Sequence, residues 1–72
     1  MPSDWRFADV QKLLESNGWT LKRTRGSHHY FIGQHREPIS VPVHKGKVKF
    51  VYVRQVQRAI DELEKDREDR AR

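Results

Sequence analysis

Two adjacent histidines follow a Gly-Ser break in the run Arg23-Thr24-Arg25-Gly26-Ser27-His28-His29-Tyr30-Phe31-Ile32. An imidazole has an ordinary pKa of about 6.5, so it can take up or release a proton near neutrality. Set among cations, such a group suits phosphodiester chemistry, and His28 is the candidate general acid or base. Gly26 lets a backbone approach closely. Ser27 offers a hydroxyl and an N–H to a phosphate oxygen, and Lys22, Arg23 and Arg25 would hold the phosphodiester charge. A surface histidine following a turn is the plain alternative, and these residues by themselves leave both readings open.

The charge distribution favours an anionic partner. The chain has 72 residues, with 15 Lys+Arg against 10 Asp+Glu and a formal net charge of +5. Residues 1–60 hold eleven basic and four acidic residues, a net of +7, whereas residues 61–72 hold four basic and six acidic, a net of −2. A localised basic excess points to a polyanion, nucleic acid before membrane. The absence of cysteine excludes disulfides and thiolate metal sites and fits a reducing compartment, so a cytoplasmic location is expected. No run of about 18 apolar residues is present to span a membrane, and no signal peptide is visible.

The elements that must position these groups are legible from periodicity. Phe7, Val10, Leu13 and Leu14 share one face of a 3.6-residue period, which predicts a helix over about residues 6–17, begun by Ser3 or Asp4 and stopped at Asn17-Gly18. Trp19–Arg25 reads as a strand with Trp19 and Leu21 toward the core and Thr20, Lys22 and Thr24 on the other face. Residues 29–32 form a second strand, with Phe31 and His29 toward the core and His28 and Tyr30 outward. Residues 39–43 form a third, at an edge or ending there because Pro42 cannot donate to a ladder. A basic loop over residues 44–49 follows. Val53, Val56, Ile60 and Leu63 then mark a second amphipathic helix starting within residues 50–53. No large apolar residue follows Leu63, and acid-first i,i+4 pairs such as Asp61/Lys65 and Glu68/Arg72 could carry that helix on into solvent.

The expected architecture is one α+β domain over residues 1–72, in the order α-β-β-β-α. Its core covers about residues 6–63, and residues 64–72 form a charged helical extension or tail. Both helices cover one face of a three-stranded antiparallel sheet and leave the other face open. Domains of the double-stranded-RNA-binding type share this element order.

Gly18-Trp19, then Arg23-Thr24-Arg25-Gly26-Ser27-His28-His29, then Ile39-Ser40-Val41-Pro42-Val43-His44 resemble the HicA family of toxin-antitoxin ribonucleases. The resemblance covers about residues 7–63. It implies an endoribonuclease toxin that cleaves mRNA, on a double-stranded-RNA-binding-like fold, held inactive by a HicB-like antitoxin; the mechanism expected of these residues is metal-independent phosphodiester cleavage. It makes His28, the histidine of Gly-Ser-His, the catalytic residue. Two features depart from the family pattern: the charged extension over residues 61–72, and the absence of proline from residues 45–49.

The RNA-binding set expected from sequence is Lys22, Arg23, Arg25, Gly26, Ser27, Tyr30, His44, Lys45 and Lys47. Tyr30 is the aromatic placed to stack on a base, since it shares the face of His28. A second proton-transfer group is not evident. His44 is the best candidate, ahead of Tyr30 and His29. His35 reads as solvated, and Trp5 and Trp19 as packing residues. No metal site and no cofactor are expected, and the chain alone is expected to be a monomer. A non-catalytic RNA-binding module of the same fold is the alternative. A helix-turn-helix DNA reader is disfavoured, because three strands separate the two helices.

Overall fold

Apolar spacing decides most of the chain's path. In the computed structural model, which describes residues 4–71, the elements run β1 (Trp5–Arg6), α1 (Phe7–Ser16), β2 (Trp19–Arg25), β3 (His28–Gly33), β4 (Ile39–Pro42), β5 (Lys47–Val48) and α2 (Phe50–Ala71). The three longer strands form the expected antiparallel sheet in the order β2-β3-β4. β1 and β5 pair separately as a two-stranded ribbon, with Trp5 opposite Val48. From sequence these residues are a lead-in and a basic loop, because strands of two residues are too short to display a period.

Both helices pack on the same face of the sheet. Val10 and Leu14 of α1 and Val53, Val56 and Ile60 of α2 meet Trp19, Phe31 and Val41 of the sheet and Val48 of β5. Trp5, Phe7, Leu13, Leu21 and Leu63 seal the edges of this cluster. Phe31, at the centre of the middle strand, has no exposed surface, whereas its neighbour Ile32 is 43% exposed on the helix-free face. α2 continues past Leu63 to Ala71, longer than the apolar stripe requires. Among the described residues no helix is long and apolar enough to cross a membrane.

Two junctions differ from the simplest expectation. Asp4 does not cap α1, whose N-cap is Arg6 without a side-chain cap bond. The Asp4 carboxylate instead accepts from the backbone N–H of Phe50 at 3.3 Å, at the start of α2. Ser3 and Arg72, named above as a helix start and as the partner of Glu68, lie outside the described residues. At the end of α1, Gly18 takes φ +95°, and a Cβ there would fall 2.7 Å from the Arg36 guanidinium carbon. Glycine therefore serves both the left-handed turn and the space that Arg36 occupies. Arg36 Nε donates to the Asn17 carbonyl at 2.9 Å, and its guanidinium carbon lies 5.6 Å from the Trp19 ring centroid. Trp19 Nε1 donates to the Glu37 carbonyl at 3.0 Å. The Gly-Trp pair thus binds the end of α1 to the β3–β4 loop.

The two faces of β3 can be told apart by substitution. Phe31→Ala is expected to cost about 3–5 kcal/mol in urea unfolding, and Ile32→Ala less than about 1 kcal/mol. Equal costs would contradict the alternation of faces.

Candidate nucleic-acid interface

Strict alternation from Trp19 and Leu21 would turn Arg23 and Arg25 toward the helices, where an unpaired charge is costly. The register of β2 against β3 avoids this. Leu21 pairs with Phe31, but Arg23 pairs with Tyr30 and Arg25 with His28, so the ladder shifts between Leu21 and Arg23. Lys22 is the extra residue of a β-bulge, which re-aims the strand that follows it. Both arginines move to the helix-free face, and all three cations are exposed. Thr24 pairs with His29 and so lies on the helix side. This corrects the open-face placement of Thr24 that alternation alone gives.

The result is a row on the open sheet face. The His28 and Tyr30 rings lie 6.3 Å apart at 26°. The Arg23 guanidinium carbon lies 5.5 Å from the Tyr30 ring centroid, within cation–π range. Arg25 stands opposite His28 across the ladder. His28 is exposed and Tyr30 half-buried. These are the residues that the sequence selects, and the bulge brings them together.

Gly26 and Ser27 form the two-residue turn between β2 and β3. Gly26 has φ +56° and Ser27 is not in the left-handed region, the pattern of hairpins with glycine at the first turn position. A Cβ on Gly26 would meet nothing within 4 Å, so the space above the turn is open. The Ser27 carbonyl is held from two sides. Val43 N–H donates to it at 2.7 Å, and His29 Nδ1 lies 3.3 Å away, where an Nδ1–H donates. The His29 ring packs on Phe7 at 4.3 Å between centroids, and Phe7 in turn lies 6.2 Å from Phe31. His29 is thus a brace under the turn that faces away from the row of His28.

The basic loop contains a tight hairpin. His44 and Lys47 exchange both backbone hydrogen bonds, at 2.8 and 3.0 Å, with Lys45 and Gly46 at positive φ between them. His44 and Lys47 line a groove of about 230 Å³ together with Ser27, Pro42, Val43, Lys49 and Tyr52. Lys45 sits at the tip of the hairpin, outside the lining. Sequence reasoning overlooks Lys49 and Tyr52; the signal for Tyr52 is a polar-tipped aromatic in the first turn of the helix that follows a lysine-rich loop. A second groove, of about 420 Å³, lies on the other flank, lined by Trp19, His35, Arg36, Glu37, Ala59, Glu62, Leu63 and Asp66. His35 is exposed there.

Two helices behind an antiparallel sheet whose open face is basic define a protein of the double-stranded-RNA-binding-like α+β class. A family model described as HicA toxin of bacterial toxin-antitoxin matches residues 7–62, and the chain belongs to that family. No curated protein and no solved structure matches it. Membership makes the chain a toxin of a toxin-antitoxin system, with an antitoxin as partner. The match stops at residue 62, whereas α2 runs on to Ala71.

The two histidines are separable by stability. His29→Ala, which removes the Phe7 contact and the bond to the Ser27 carbonyl, is expected to lower unfolding stability by about 1–3 kcal/mol. His28→Ala is expected to change it by no more than about 0.5 kcal/mol. Urea unfolding followed by tryptophan fluorescence measures both.

Proposed function

We propose that the chain is an endoribonuclease that cleaves mRNA in the cytoplasm with His28 as general acid or base, and that a HicB-like antitoxin silences it by covering the face of His28. The working domain is residues 6–63, with residues 64–72 an extension of the closing helix. The observation that carries this reading is the placement of His28 on an open sheet face, in one row with Arg23, Arg25 and Tyr30. A solvent-facing imidazole flanked by fixed cations meets the needs of RNA transesterification without a metal ion. His28 takes the proton of the ribose 2′-OH, O2′ bonds to phosphorus, and the P–O5′ bond breaks; in the alternative role His28 protonates O5′ as it leaves. The products are a 2′,3′-cyclic phosphate and a 5′-OH end.

The other groups have roles that follow from their positions. Lys22, Arg23 and Arg25 offset the charge of the phosphate and of the transition state. Gly26 leaves room for the strand above the turn, and Ser27 presents its hydroxyl there. Tyr30, already stacked between His28 and Arg23, receives a base. His44, Lys45 and Lys47 extend the cationic track, and His44 is the candidate for the complementary proton transfer. One general acid or base contributes about 10²–10⁴-fold to a rate, which suits a slow toxin.

The test is cleavage of a labelled single-stranded RNA, together with growth after induced expression. His28→Ala is expected to lower cleavage about 10²–10⁴-fold and to abolish growth arrest, while the variant stays folded and still binds RNA. Undiminished cleavage by a folded His28→Ala protein removes His28 from this role. A wild-type protein that binds RNA with steep salt dependence but never cuts it is instead a non-catalytic RNA-binding module of the same fold.

A further inference from the structure

We infer that the groove between Ser27 and Tyr52 is a nucleotide subsite: it holds the RNA residue on one side of the phosphodiester at His28, with the Tyr52 ring as platform and Lys47 and Lys49 on the adjoining phosphate. This deepens the ribonuclease reading and rests on it.

The groove is continuous with His28. Ser27 precedes His28 in the chain, and Pro42 faces it across the β3–β4 ladder; both residues line the groove. The Val43 N–H bond to the Ser27 carbonyl closes the end of the sheet and fixes this junction. Its lining combines apolar surface from Pro42, Val43 and the Tyr52 ring with the cationic and imidazole groups of Lys47, Lys49 and His44, and no carboxylate lines the groove. A base against an aromatic ring with its phosphate on lysines is the way proteins hold single-stranded nucleic acid.

The opposite flank has the reverse chemistry. The groove beside Trp19 presents Glu37, Glu62 and Asp66. Its one fixed cation, Arg36, already donates to the Asn17 and Gln34 carbonyls. An RNA strand leaving His28 is repelled on that side and attracted toward Tyr52. Tyr30 on the open face and Tyr52 beyond the turn therefore receive two nucleotides splayed apart around the bond that His28 addresses.

Binding is measured in the full-length His28→Ala background by fluorescence anisotropy with a labelled single-stranded RNA hexamer at several salt concentrations. Tyr52→Ala is expected to weaken binding about tenfold with an unchanged salt slope, and Tyr52→Phe to stay within about twofold. The Lys47→Gln/Lys49→Gln pair is expected to reduce the slope of log K against log salt by roughly 1.5. Because Tyr52 also packs against the core, the exposed lysine pair decides the matter if Tyr52→Ala does not fold. Parental affinity in a folded Tyr52→Ala protein overturns the subsite and leaves the RNA reading standing; an unchanged slope in the lysine pair overturns the subsite and also removes Lys47 from the cationic track, leaving the RNA reading at His28, Arg23 and Arg25 standing. A parent that binds no RNA even at low salt overturns the RNA reading, and the subsite with it.

Discussion

The ladder shift at Lys22 is the constraint from which the working face follows. β2 must face Trp19 and Leu21 toward the helices, and its second half must keep Arg23 and Arg25 out of the core. A regular strand cannot do both, since its side chains alternate without exception. One extra residue reverses the parity of everything after it. The bulge resolves a packing conflict and, by the same displacement, sets two guanidinium groups in line with His28 and Tyr30.

The back of the sheet makes that geometry durable. Phe31, with no exposed surface, anchors β3 against the helix layer on one face of the sheet, and Phe7 carries the packing outward to His29. His29 then reaches the Ser27 carbonyl. Adjacent histidines are thus divided by the pleat into a half-buried support and an exposed imidazole on the open face. The polarity of the molecule follows the same division of labour: lysines and an imidazole gather where the hairpin of residues 44–47 meets the sheet, and carboxylates gather where α2 passes Trp19.

Much of this was legible in the residues. Helical periods located α1 and most of α2, and apolar-polar alternation with the Gly-Ser break located the three main strands. The opposite orientations of His28 and His29 followed from Phe31 being core. Three things were not legible. The bulge has no composition of its own, because Lys22 looks like any outward strand residue. β1 and β5 are two residues each and owe their pairing to contacts between distant parts of the chain. The groove at Tyr52 depends on how the start of α2 docks against the sheet end, which no local pattern records.

The bond from Phe50 to Asp4 spans 46 positions, and the β1–β5 ribbon beside it is nearly as long in reach. By contrast β2, β3 and β4 are joined by short connections, and loop closure favours short connections first. The order of assembly follows. The hairpin that bears His28 can pair early in folding with α1 against it, whereas part of its hydrophobic back stays uncovered until α2 docks. The amino-terminal segment then acts as a latch, its carboxylate seated on the last helix to dock. A chain that ended before α2 would carry the same basic face over a core lacking Val53, Val56 and Ile60.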